Sequence, residues 1–345
     1  MSASDSRAPV RHEQETYGLR PEAAQFPMMC VLSFVYVCNA RCPNCPYNNS
    51  NIRAAYQDAV FMPDEIFRRI ADECGQYGAM LRLSGGGEPM LHPHAVELMV
   101  YAKSRGAKIG LITNGSRFTA EGLRALLAAG LDALEFSVDA GDAVTYARVR
   151  PGLDWEVLNR NARQAAALRH ELGAPTRLIA SIINQKGVDV PAAEAYWAGI
   201  VDKVQVRKYL TWGYNEDQSA DPAPYLPPEK RVPCPWLFER LNIDSRGDVT
   251  LCGEDIAFSQ KFANVMKRSI REIWNGPEFQ QLREKHLTGR GTEIPICAQC
   301  PDWKYRSWQH NYWKLINAAD QTRQERLAAP AGGRDRNAGP DTKGS

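Results

Sequence analysis

Between residues 27 and about 225 the chain alternates short apolar runs with longer stretches in which apolar residues return every three or four positions. The runs of strand length are Met29–Val37, Met80–Ser84, Lys108–Thr113, Ala133–Val138, Arg177–Ile183 and Lys203–Arg207. The stretches between them read as helices. The first opens at Pro63 with Asp64 and Glu65, a proline suited to a first turn and two carboxylates suited to the positive helix end. Ile66, Ile70 and Cys74 follow at four-residue spacing and mark one apolar face. Thr119 and Asp154 stand where later helices need caps. Six βα units predict an α/β fold with a parallel sheet curved into a partial (β/α)6 barrel. Its chemistry is then expected at the C-terminal ends of the strands.

Outside this region the pattern changes. Residues 1–26 are polar, lack the apolar core of a signal peptide and predict a disordered leader. Residues 226–318 hold four cysteines and a cluster of aromatics, and predict a small second domain. Within it, LNIDSRGDVTL predicts a hairpin turning at Asp244–Asp248. Residues 319–345, rich in Ala, Gly, Arg, Pro and Asp, predict a disordered tail. A formal charge of +2 with no basic–aromatic stripe argues against a nucleic-acid partner. No apolar stretch reaches the roughly 18 residues of a membrane span. A cytoplasmic, reducing location is expected. There the nine cysteines serve metal binding or chemistry better than disulfides.

Cys38, Cys42 and Cys45 form C-x3-C-x2-C at the end of the first strand. Three thiolates on so short a loop can wrap one face of a cubane cluster and leave one iron open. The alternative is a zinc site short of a ligand, although zinc sites usually carry paired C-x2-C units. Ser84-Gly85-Gly86-Gly87-Glu88-Pro89 follows the second strand. Glycines there let backbone approach a ligand, and a carboxylate can accept from an ammonium group. Thr113-Asn114-Gly115 ends the third strand and Ser137-Val138-Asp139 the fourth; alone, both are ordinary turn chemistry.

The triplet after a first barrel strand resembles the signature of the radical S-adenosylmethionine (SAM) superfamily, over roughly residues 28–318. The resemblance implies a [4Fe–4S] cluster on the triplet whose open iron is chelated by SAM, and reductive cleavage of SAM to a 5′-deoxyadenosyl radical that takes a substrate hydrogen. It implies an external electron donor such as flavodoxin or ferredoxin. Gly86, Gly87, Glu88 and Pro89 are similar to the motif that binds the SAM amino group. Asn114, Ser137 and Asp139 match positions that contact ribose or methionine, with Asn184 a weaker match. Arg150, in RVRPG, resembles the arginine that pairs with the SAM carboxylate, with Arg148 its nearest competitor. Where the family often has an aromatic before the third cysteine this chain has Asn44, and Tyr47 is the substitute expected to contact adenine.

Cys234, Cys252, Cys297 and Cys300 can complete one further site, zinc being the alternative metal. With Asp255, Asn264-Val265 and Ser269–Asn275, the set resembles the SPASM and twitch domains of radical SAM enzymes. The implied occupant is an auxiliary [4Fe–4S] cluster, fully ligated by protein and suited to electron transfer. Cys30 and Cys74 read as core thiols, and His92 and His94 as surface or core. Trp303, Tyr305, Trp308, Tyr312 and Trp313 read as packing, while Lys208, Tyr209 and Trp212 lie where a substrate pocket would be. The single auxiliary set favours oxidation, or epimerisation, of a small polyhydroxylated substrate such as a sugar, aminocyclitol or nucleoside. The alternatives are a SPASM-type peptide or protein maturase and a non-catalytic metal-binding protein.

Overall fold

The computed structural model describes residues 19, 21–48, 50–213, 215–222 and 231–303. Tyr305, Trp308, Tyr312, Trp313 and the expected tail lie outside the described residues. Among the described residues nine strands form one sheet: β1 Met29–Leu32, β2 Met80–Leu83, β3 Lys108–Thr113, β4 Ala133–Ser137, β5 Arg177–Asn184, β6 Lys203–Lys208, β7 Arg240–Ile243, β8 Asp248–Thr250 and β9 Lys261–Asn264. Their order is β6-β5-β4-β3-β2-β1-β7-β8-β9. Strands β1 to β6 are parallel throughout, as the six βα units predict.

The local signals are realised where they were read. The helix Asp64–Tyr77 follows Pro63 and buries Ile66, Ile70 and Cys74. The Thr119 side chain accepts from Gly122 N, and Asp154 from Glu156 N and Val157 N, each satisfying N–H groups left over at a helix start. Cys30 and Cys74 are buried core thiols with sulfurs 3.6 Å apart. His92 is buried against Phe34, and His94 pairs with Asp64.

Two boundaries differ from the sequence reading by more than one residue. β1 stops at Leu32, because Ser33–Val37 leave the ladder; Val35 instead bridges Phe61 and Gly86. Residues 21–26, assigned to the leader, are packed: Ala23 and Phe26 are fully buried, Phe26 stacks on Tyr77 at 4.4 Å, and Trp274 Nε1 donates to Ala23 O at 2.6 Å. A partner so distant in sequence leaves no local trace.

The second domain is also less separate than its composition suggests. β7 and β8 form the expected antiparallel hairpin, with Asp244 Oδ1 accepting from Arg246 N and Asp248 N at 2.9 Å each. But β7 pairs in parallel with β1, so the hairpin extends the barrel sheet.

Register gives the sheet two chemically different faces. One carries Leu81, Leu83, Ile109, Leu111, Leu134, Phe136, Leu178, Ala180 and Ile182, all buried. The other carries Arg82, Glu135, Ser181, Gln205 and Arg207 among apolar groups. A strand alternates its side chains, so an apolar face can bury against helices while the opposite face stays polar.

Candidate active site and auxiliary metal centre

The triplet loop lies between the ends of the strands. Residues 33–37, which lead into Cys38, run against the glycine turn after β2. A Cβ on Gly86 would come within 2.1 Å of Val35 O, and one on Gly87 within 2.0 Å of Val37 O. Gly86 also has φ +88°, a conformation glycine adopts without strain. The glycine run is therefore required for the β2 turn and the cysteine loop to approach one another.

Cys42 is buried, and Cys38 and Cys45 are half-buried. Burial pushes the Cys45 thiol up to about 12, with the charges of Cys42 and Cys38 adding and Arg150 opposing. Cys38 is raised chiefly by burial as well. Three mutually repelling thiolates in such a place need a cationic partner, and iron supplies one. Among the described residues no three His, Cys, Asp or Glu side chains converge as a single metal ion requires. The fit to a cluster rests on the thiol set and its surroundings.

Arg150 provides part of those surroundings. It donates to Asp139 Oδ2 at 2.6 Å and to Cys42 Sγ at 3.6 Å. Its buried Nε has no partner among the described residues, leaving a donor for an anionic ligand beside the thiols. Arg148 turns away to Gly187 O. The geometry therefore favours Arg150 over its competitor as a carboxylate partner. Asp139 is itself fixed, accepting from Ile183 N at 2.8 Å through Oδ1.

Asn114 donates to Asn39 Oδ1 at 3.0 Å and points Nδ2 toward Cys38 Sγ at 4.0 Å. Ser137 ends β4 on the polar face, next to Ser181. Tyr47 meets Tyr36 edge-on at 5.9 Å. Glu88 behaves differently from a free ligand for an ammonium group. Its Oε1 accepts from Thr113 Oγ1 at 2.6 Å and Met90 N at 3.1 Å, and its Oε2 from Asn114 N at 2.7 Å. Burial raises its pKa against these bonds. Pro89 begins the short 3-10 helix that Glu88 caps. Glu88 thus clamps the β2 turn to the end of β3.

The polar face adds residues the sequence reading did not single out. Arg207 donates to Glu135 Oε1 at 2.5 Å, Ser181 Oγ at 2.9 Å and Gln205 Oε1 at 3.2 Å. Glu135 is buried, and its Oε2 has no partner among the described residues. The buried Tyr146 hydroxyl, which feels the charges of Arg150 and Cys42, likewise has no hydrogen-bond partner among the described residues. The available signal was a charge interrupting an apolar strand, as Glu135 does in ALEFS. Of the pocket residues proposed on sequence, Tyr209 is buried and Trp212 is held by Asp302 Oδ2, which accepts from its N–H at 2.8 Å. Lys208 instead faces Asp221 at 3.5 Å.

The second cysteine set is brought together in full. Cys234, Cys252, Cys297 and Cys300 line one cavity of about 400 Å³, its open mouth included, with Trp236, Leu237, Leu251, Ile296 and Trp303 as apolar wall. Burial pushes Cys300 up to about 12 and Cys297 higher, and the neighbouring thiols add to both. Asp255 does not enter this wall as a ligand; it accepts from Ser259 N at 2.8 Å and Gln260 N at 3.0 Å and shapes the loop after Cys252. Asn264 holds the hairpin, donating to Arg246 O at 3.0 Å, and Ser269 with Glu272 forms a capping box. Trp303 Nε1 donates to Val232 O at 2.9 Å and closes the domain over the cavity.

Comparison with known proteins agrees with this arrangement. The radical SAM superfamily model matches residues 32–173, and the model of the SPASM iron–sulfur cluster-binding domain matches residues 234–301. A PqqA peptide cyclase of Xanthomonas axonopodis pv. citri is 26% identical, over 80% of this chain and 82% of its own. Streptococcus suis SuiB bound to its precursor peptide SuiA shares the fold with a TM-score of 0.61 at 15% identity, over 75% of this chain and 67% of that one. BtrN in complex with AdoMet and 2-DOIA does so with a TM-score of 0.54 at 14% identity, over 79% of this chain and 92% of that one. No helix among the described residues is long and apolar enough to cross a membrane. The chain belongs to the radical SAM superfamily, with SAM and [4Fe–4S] clusters as its cofactors and a SPASM domain at its C-terminal end.

Proposed function

We propose that this protein is a radical SAM peptide or protein maturase that removes two hydrogens from its substrate. Residues 27–225 form the radical SAM core, with the SAM-ligated cluster on Cys38, Cys42 and Cys45. Residues 226–318 hold the auxiliary cluster on Cys234, Cys252, Cys297 and Cys300. The observation that carries the reading is the relationship to a peptide cyclase across 80% of the chain, a span too long to lie within the barrel alone. This displaces the small polyhydroxylated substrate expected from the single auxiliary set, since that set serves peptide oxidation equally well.

When bound, the triplet cluster and SAM supply a 5′-deoxyadenosyl radical. Arg150, held by Asp139, would orient the SAM carboxylate, the glycine turn and Glu88 would fix the pocket floor, and Asn114, Ser137 and Tyr47 would border the nucleoside. A cross-link between two peptide carbons removes one hydrogen as an atom, to 5′-deoxyadenosine. The second leaves as a proton and an electron. That electron needs an acceptor, and the four-cysteine cavity is where this chain can hold one. The first electron comes from a flavodoxin- or ferredoxin-type donor.

The test is to incubate the reduced, reconstituted protein and SAM with peptides encoded beside its gene, and separately with sugars, aminocyclitols and nucleosides. The proposal expects 5′-deoxyadenosine together with a peptide lighter by two hydrogens. Ketone formation from a small polyol, with no peptide modified, overturns it.

A further inference from the structure

We propose that His286 donates a hydrogen bond from Nε2–H to a sulfur of the auxiliary cluster and thereby raises that cluster's reduction potential. The inference rests on the assignment of the four-cysteine cavity to a cluster.

His286 belongs to the helix Pro277–Leu287, whose buried face also carries Phe279, Leu282 and Arg283. Its ring forms part of the cavity wall shared by Cys234, Cys252, Cys297 and Cys300. Two contacts fix it. The ring stacks on Trp303 with centroids 5.1 Å apart and planes 19° apart. Its Nδ1 faces the backbone N–H of Cys234 at 3.2 Å. An N–H donor there requires a lone pair on Nδ1, so the ring proton sits on Nε2. That Nε2 is buried and has no hydrogen-bond partner among the described residues. On the same helix face Arg283 donates from Nε to Leu237 O at 2.9 Å and from Nη1 to Trp274 O at 2.8 Å, while its buried Nη2 has no hydrogen-bond partner among the described residues.

A buried N–H left unpaired is costly, and in a low-dielectric wall a polar group is worth more to whatever pairs with it. The cavity holds four sulfur ligands, and a cluster adds sulfides, all of them acceptors. Cluster reduction adds negative charge to those sulfurs. A donor beside them stabilises the reduced form more than the oxidised one, which raises the potential. His286 also binds Cys234 through its backbone, so the same ring orients a ligand and supplies the donor. The cavity already offers four thiolates, so the histidine is a positioning residue and not a fifth ligand.

The test uses the full chain carrying Cys38→Ala, Cys42→Ala and Cys45→Ala, so that only the auxiliary cluster is titrated. Reductive titration followed by electron paramagnetic resonance compares this parent with the same chain carrying His286→Leu or His286→Gln. The Leu variant is expected to reduce about tenfold less favourably at a given potential, a shift of about 59 mV to more negative values for one electron. The Gln variant can place an amide N–H near the position of Nε2, and is expected to recover most of the shift. In the parent, exchange into D2O is expected to remove one proton coupling from the reduced cluster signal. Equal potentials in the parent and Leu variant at equal iron content overturn the proposal. If the Leu variant does not load iron, the deuterium experiment decides, and the absence of an exchangeable coupling overturns it. A parent that takes up no second cluster refutes the assignment of the cavity itself, a failure seen in the iron count before any titration.

Discussion

The two thiol sites of this protein are built by opposite means. The first comes from eight consecutive residues, Cys38 to Cys45, on one loop beside Arg150 and Asp139. It offers three ligands, and two of the three cysteines remain half-buried. The second collects four cysteines from three separated stretches of chain into a cavity whose mostly apolar wall also includes Glu254 and His286. An open, partly polar site suits a cofactor that must also bind SAM and face a substrate. A site with all four ligands from protein, walled by Trp236, Leu237 and Trp303, can exchange electrons but has no position for a substrate. The proposed division of labour follows this contrast: radical initiation at the open site and electron acceptance at the closed one.

Removing the open site should have the largest effect. Cys38→Ala, Cys42→Ala and Cys45→Ala together should abolish 5′-deoxyadenosine formation and lower the bound iron from about eight to about four atoms per chain, as expected for the loss of one of two cubanes. Iron and sulfide analysis with product chromatography checks this.

Removing the closed site should separate two activities. Cys234→Ala with Cys252→Ala should leave SAM cleavage measurable while the peptide product falls below detection, because the substrate radical has lost its electron acceptor. Product formed at the unaltered rate, with the second cluster absent, would make that cluster a structural brace.

Smaller changes sharpen the assignment of the SAM pocket. Arg150→Met removes a charged donor beside Cys42 and should weaken SAM binding at least tenfold, about 1.4 kcal/mol, while Arg148→Met should leave it unchanged. Equilibrium dialysis with SAM distinguishes the two.

The least effect concerns the hairpin that joins the two regions. Burial pushes Asp244 up to about 6, and its Oδ2 has no partner among the described residues. A carboxyl group raised in the folded state favours folding below its ordinary value, and this contribution is lost as pH rises through about 6. Asp244→Asn keeps the acceptor for Arg246 N and Asp248 N. It should flatten the dependence of thermal stability between about pH 4 and 6. An unaltered pH profile would show that Asp244 ionises freely.

The same contrast explains what the sequence revealed. Features encoded within a few residues were legible: the triplet, the caps Thr119 and Asp154, the helix after Pro63 and the hairpin about Asp244. The four auxiliary cysteines were legible as a set because their residue type restricts their chemistry. Their wall was not, since His286 and Trp236 are ordinary residues until folding brings them to Cys234 and Cys252. The parallel pairing of β7 with β1 likewise depends on strands some 200 residues apart, on the order of a domain length. The sequence marked Glu88 as a candidate ligand, but its three bonds to β3 and its own turn appear only in three dimensions. Glu135 and Arg207 were hidden because an isolated charge in a strand does not indicate which face it occupies.

The central claim is that the closed site holds a second cluster to which SAM has no access. Mössbauer and electron paramagnetic resonance spectra of the reconstituted triple variant, recorded with and without SAM, test it most directly. The account predicts a remaining [4Fe–4S] signal that SAM leaves unchanged, whereas SAM alters one of two cluster signals in the unsubstituted protein. Zinc without labile sulfide in the variant, or a residual cluster signal that shifts when SAM is added, would contradict it.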